Sequence, residues 1–175
     1  MTGIWRDDLA LLALRLGVGS VLFAHGAQKL FGWFGGSGLA GATENMEKMG
    51  FTPGRPNALA AGLGEAGGGT LLALGLATPL AGAAASATMA TAVSVHAPSG
   101  FFAYADGFEL PGVLGCASAA LALAGPGRFS LDHLIGHSLN RTWMVPLALA
   151  AGAVGAITVI RRRLTAGEKR PEEEL

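Results

Sequence analysis

The sequence predicts an all-α integral membrane bundle, with four helices forming a core and a fifth, C-terminal transmembrane helix added to it. Two observations carry this. Hydrophobic residues make up 51% of the 175-residue chain and charged residues 14%, against about 25% charged in a globular domain that faces water. Nine of the 24 formal charges lie between Arg161 and Leu175, which leaves the rest of the chain nearly bare of them. The second observation is a recurrence of apolar runs of span length. A helix rises about 1.5 Å per residue, so a hydrocarbon layer of about 30 Å takes roughly 17 to 25 residues.

The first run covers about 9–31 and contains Arg15, His25 and Lys29. It is too long for the apolar region of a leader peptide and is interrupted by Arg15, so it is expected to stay in the mature protein. The second and third runs, about 57–77 and 79–97, are separated only by Thr78 and Pro79. Proline is tolerated in a first helical turn, so 57–97 reads as a helical hairpin. The fourth run, 109–125, stops at the Gly125–Pro126–Gly127 breaker. The fifth, about 143–160, is followed at once by Arg161, Arg162 and Arg163. That stop-transfer pattern predicts a cytoplasmic C-terminal tail. Five spans then put the N-terminus outside, with which Lys48 and Arg55 agree and Arg6, Arg128 and Arg141 do not.

Two connections are long enough for structure of their own. In 37–56, Glu44 and Lys48 have the favourable i,i+4 order on a short helix, with Met46 and Met49 on its apolar side. In 126–142, Leu131, Leu134 and Ile135 fall on one side, as in an interfacial helix. The chain divides into a four-helix core, 1–132, and a C-terminal part, 133–175, comprising the interfacial segment, the fifth helix and the charged tail. Gly and Ala saturate the spans, and Gly64 and Gly68 have GxxxG spacing. Inside lipid, helices associate through close backbone approach at such residues, which predicts tight packing and permits a homo-oligomer.

Net charge is zero and no basic groove with interleaved aromatics is present, so nucleic acid is excluded as a partner. The single cysteine, Cys116, excludes an internal disulfide and a CxxC redox pair. His133 and His137 have the spacing of a metal pair but lack a third ligand, so no metal site is expected.

Ionisable residues within a span usually face the bundle interior, pair, or line a cavity. Here helix order brings several to one end. The end of the first span and the start of the second share a membrane face, from which His25 lies roughly 9 Å deep and Glu65 roughly 12 Å. The third span ends and the fourth begins on that face. His25, Lys29 and Glu65 are therefore the candidate catalytic residues, as proton carriers with Lys29 stabilising negative charge. His96, Glu109, Phe101, Phe102 and Trp33 sit near the same end. They are the candidate binding residues for a flat apolar head group, unless the aromatics form only an interfacial belt. Arg15 belongs to the opposite face.

Four stretches, "RLGVGSVLFAHGAQKLFGWFGG", "GLGEAGGGTLLALGLATPLA", "HAPSGFF" and "GPGRFSLD", together resemble the DoxX family of small bacterial membrane proteins over roughly 10–132. The resemblance implies a four-helix membrane core and carries the family pattern onto Arg15, His25, Gly26, Lys29, Gly64, Glu65 and His96. Members are similar to the membrane subunit of thiosulfate:quinone oxidoreductase, and one is associated with a complex containing a superoxide dismutase and a sulfurtransferase. The resemblance thus implies an inner-membrane subunit in redox or oxidative-stress metabolism, with soluble enzymes of those types as partners. No resident cofactor is fixed by the residues, and a quinone is the candidate. Two alternatives stay open, a non-catalytic membrane scaffold for soluble redox enzymes and a small-molecule or proton transporter.

Overall fold

A computed structural model describes the backbone of residues 2–169 and the side chains of residues 5–166. The end of the charged tail, 170–175, falls outside the described residues. Among the described residues, seven α-helices follow in order: α1 (Thr2–Phe31), α2 (Gly38–Lys48), α3 (Gly54–Leu74), α4 (Thr78–His96), α5 (Glu109–Ala124), α6 (Leu131–Leu134) and α7 (Met144–Lys169). Short 3-10 turns follow α1 and connect α4 to α5. No strand occurs among the described residues.

Five long helices make the bundle. α1 lies along α3, α3 touches α4, and α4 carries α5 and α7 on its other sides. Small side chains, among them Ala27, Ala58, Ala66, Ala81 and Ala85, pack inside around a cluster of larger ones, Leu22, Leu72, Met89, Leu114 and Leu121, whereas Leu9, Leu16, Leu63, Leu80, Val113, Leu147 and Val154 point outward. Many exposed leucines and valines beside alanine at the helix contacts suit a lipid solvent, where helices gain more from close approach than from hiding every leucine. Among the described residues, three helical stretches are long and apolar enough to cross a membrane: Trp5–Phe31, Thr78–Ser99 and Met144–Ala166. Five such spans were expected. α5, with 16 residues, is short, and α3, with 21, is diluted by glycine and by Glu65.

The glycines of α3 are divided between two neighbours. A methyl on Gly69 would lie 2.6 Å from the Gly19 carbonyl oxygen of α1, and one on Gly62 would lie 2.6 Å from the Leu30 side chain. The GxxxG glycines face α4 instead, Gly64 against Thr88 and Gly68 against Ala81 and Ala85. α3 is therefore a thin element clasped from two sides.

The hairpin forms as the Thr78–Pro79 pair predicts, with earlier boundaries. α3 stops at Gly75, whose left-handed φ of 64° lets the Leu76 N–H reach the Leu71 carbonyl at 2.9 Å. α1 begins before residue 9 and takes in Asp7 and Asp8, and α7 runs on through its arginines. On α2, Glu44 and Lys48 pair at 2.6 Å, and the hydrogen bond and charge of Lys48 hold the Glu44 carboxyl below its ordinary value.

The amphipathic helix expected in 126–142 is absent. Ser130 caps a single turn, accepting from the His133 N–H at 3.2 Å, and positive φ at Gly136 and His137 ends it. Leu134 and Ile135 are exposed, and the segment is spent on a buried contact instead, in which the Asp132 N–H donates to the Gly75 carbonyl at 2.9 Å.

Candidate functional site

Between the last turn of α1 and the middle of α3, an ion pair crosses from one helix to the other. Lys29 Nζ lies 2.6 Å from Glu65 Oε2, and Glu65 is 4% exposed. The partnership follows from the α1–α3 seam. Gly26 sits against Ala66 and Gly62, and this close approach brings the neighbouring Lys29 and Glu65 within reach. The ammonium also lies 3.5 Å from the His25 carbonyl. The pairing sets the two polar heads against each other inside the bundle, away from lipid.

The pair stands on the wall of a cavity of about 390 Å³. His25 and His96 line it with them, and most of the remaining wall is apolar, with Leu22 from α1, Met46 from α2, Val95 from α4, Leu110 and Pro111 from α5, Val159 from α7, and Met49 and Phe51 from the turn after α2. Volumes of about 300–1,000 Å³ are usual for small-molecule sites. His96 Nδ1 lies 2.8 Å from the Asp106 carbonyl oxygen, which can only accept, so that nitrogen carries a proton and Nε2 is the ring nitrogen left for another partner.

Four of the eight sequence-derived candidates thus share one cavity: His25, Lys29, Glu65 and His96. The other four do not line it. Glu109 Oε2 accepts from the Ala103 N–H at 3.1 Å and so ties the α4–α5 loop to the start of α5. Phe101 packs edge-on against Phe102 and Phe108, and Phe102 stacks on Tyr104. Trp33 packs on Phe23, Phe31 and Phe34 beyond the end of α1. All three aromatics are about half exposed. Nearness in sequence to the polar end gave no direction for side chains on loops that the spans do not orient.

Sequence reasoning missed the contribution of α7, which brings Gly152, Gly155, Ala156 and Val159 to the cavity wall. An apolar helix with small residues on every side carries no signal of which face is inward. It also missed a second buried polar group at the opposite end of the bundle. Arg15 and Asp132 are fully buried there, and Asp8 nearly so. Arg15 donates through Nη2 to the Phe129 carbonyl and lies against Gly75 and Ser130, whereas its Nε and Nη1 have no hydrogen-bond partner among the described residues. Asp8 accepts from the Arg128 N–H at 2.9 Å. Comparing depths from that face, as was done for Glu65, would have found the group, because Arg15 needed acidic neighbours there too. His133 and His137 face each other at 3.2 Å, and no set of three or more metal-ligating side chains converges among the described residues.

A family model described as DoxX matches residues 10–104, more than half of the chain, from α1 to the loop after α4. The ion pair, His25 and His96 lie inside that match, and the walls from α5 and α7 lie outside it. No curated protein and no solved structure matches the chain.

Proposed function

Because the chain belongs to the DoxX family, we propose that it is the membrane-embedded subunit of a redox complex and that its cavity receives a quinone head group. The Lys29–Glu65 pair at 2.6 Å on a mostly apolar wall carries this reading. The residues suit such a group. Lys29 Nζ, beyond its bond to Glu65, can donate to a carbonyl oxygen, and the Glu65 carboxylate can accept from a hydroxyl, with His96 Nε2 as a further polar contact. A bound quinone would supply two-electron, two-proton chemistry. The protein's part is to bind and orient the ring between the apolar walls, to exclude water, and to hold protons at Glu65 and His25. Electrons would come from a soluble partner of the kind the family resemblance implies, docked at the cavity end. That end would face the cytoplasm, since Arg161 to Arg163 gather there with Lys48 and Arg55.

The test is the quinone content of protein purified in mild detergent. Wild type is expected to retain quinone stoichiometrically, and Glu65→Gln to bind it about tenfold to a hundredfold more weakly, as for loss of one charge-assisted hydrogen bond. Glutamine keeps the shape of the side chain and an acceptor for Lys29, so the fold is expected to survive. No enrichment over bulk membrane in either protein would overturn the reading and leave the scaffold as the better one.

A further inference from the structure

The cavity is walled unevenly along its depth. At its loop end stand Met46, Met49 and Phe51, and α7 is fastened over them. Arg163 Nε donates to the Met49 carbonyl at 2.8 Å and its Nη1 to the Ser94 carbonyl at 3.0 Å, while the guanidinium stands 5.4 Å from the centre of the Phe51 ring. Phe51 itself is 4% exposed. One arginine thus joins α7 to the ends of α2 and α4 and closes the side that faces water.

Deeper in, the wall thins. Ala60 of α3 and Gly155 of α7 both line the cavity and are both exposed. Ala60 lies six residues inside the start of α3 at Gly54, and Gly155 six residues before Arg161, which sets each about 9 Å below the interface, at the level of the lipid chains. α3 and α7 are both neighbours of α4 but barely touch each other. A methyl added to Gly155 would meet nothing within 4 Å.

We propose that the cavity is entered sideways from the bilayer, through a portal between Ala60 and Gly155, and that its ligand is an amphiphile dissolved in the membrane. The polar head passes inward to the Lys29–Glu65 pair, and the apolar tail remains between α3 and α7 among the lipids. This rests on reading the cavity as the ligand site, though not on the ligand being redox-active. It gives α7, which the family match does not reach, a definite task as one jamb of the entrance, with Arg163 as the residue that positions it.

Two thiol reagents test the route on the full chain in proteoliposomes. In a Cys116→Ser background, Ala61→Cys places a thiol on the cavity wall, and Tyr104→Cys places one on an exposed loop. Pyrene maleimide, which partitions into lipid, is expected to label Ala61→Cys readily. A charged methanethiosulfonate present on both sides is expected to label it at least an order of magnitude more slowly than Tyr104→Cys. Adding Gly155→Phe, or Ala60→Phe, is expected to slow the pyrene reagent by a similar factor without lowering the melting temperature, since both positions are on the surface. Equal reaction of the charged reagent at the two cysteines, or no effect of either plug, would overturn the proposal. Neither readout needs a quinone or a redox partner, so failure of the quinone count leaves this result to stand or fall by itself.

Discussion

Replacing Asp132 by alanine is expected to destabilise the detergent-solubilised protein by about 3–5 kcal/mol, the usual scale for removing one partner from a buried charged network. Its carboxylate is fully buried and reaches across to the start of α4, where Oδ1 accepts from the Ala77 N–H at 2.9 Å and Oδ2 from the Thr78 N–H at 3.0 Å and hydroxyl at 2.9 Å. α4 has no capping side chain of its own, because Ala77 occupies the cap position. A residue more than fifty positions away in sequence supplies the cap and meets the positive end of the helix dipole. The alanine variant leaves these donors unpaired inside the bundle and removes the negative charge facing Arg15. Asp132→Asn keeps one acceptor oxygen but turns an amide NH2 toward N–H groups, so an intermediate loss is expected. Denaturant or thermal unfolding measures both, and a loss below about 0.5 kcal/mol for alanine, the level of an ordinary surface substitution, would contradict this account.

A second large loss is expected from Gly26→Val. A methyl at Gly26 would stand 2.6 Å from the Ala66 methyl and 2.7 Å from the Gly62 carbonyl oxygen, so backbone, and not a flexible side-chain end, blocks it. α1 and α3 would have to separate along the seam that holds Lys29 to Glu65. Overpacking of this sort costs about 1–3 kcal/mol when neighbours can shift, and the rigid backbone here puts the expectation at about 3 kcal/mol or more. Gly17 lies on the same helix with nothing within 4 Å of its missing Cβ. Gly17→Ala is therefore expected to be neutral or to stabilise by about 0.5–1 kcal/mol through the better helix propensity of alanine. Equal melting temperatures for the two variants would show that the seam is looser than its geometry indicates.

The bundle and the ion pair were legible for one reason, which is that span order fixes which helix ends share a face. Depth counted from that face placed His25 and Glu65 at similar levels, with Lys29 one turn nearer the surface, before any side-chain geometry was known. The Thr78–Pro79 hairpin was legible from local chemistry alone. What could not be read depends on rotation about a helix axis or on contacts between distant segments. Glycine lies on several sides of α3, so the sequence could not say that Gly62 and Gly69 meet α1 while Gly64 and Gly68 meet α4. Leu131, Leu134 and Ile135 offered an amphipathic face, but Asp132 between them was required elsewhere, and the helix was reduced to one turn. Arg163 looked like an interfacial anchor, and its hydrogen bonds to Met49 and Ser94 have no local signature.

The thinness of α3 also bears on how the chain enters the membrane. A nascent helix leaves the translocation channel according to its own partition free energy, in which a carboxylate at mid-depth costs roughly 2.5–3.5 kcal/mol and leucine returns only a few tenths each. With glycine at 62, 64 and 67–69 and a glutamate at 65, α3 has little with which to offset that cost. α1 is synthesised first and already holds Lys29, whose side chain reaches Glu65 in the finished bundle. Entry of α3 is therefore expected to be conditional on α1. A reporter placed after residue 75 should register integration when α1 precedes it, and release to the aqueous side when α3 is presented alone. The residues that permit close packing in the finished bundle thus set an order of events during synthesis, in which the second helix of the seam is admitted only because the first is waiting.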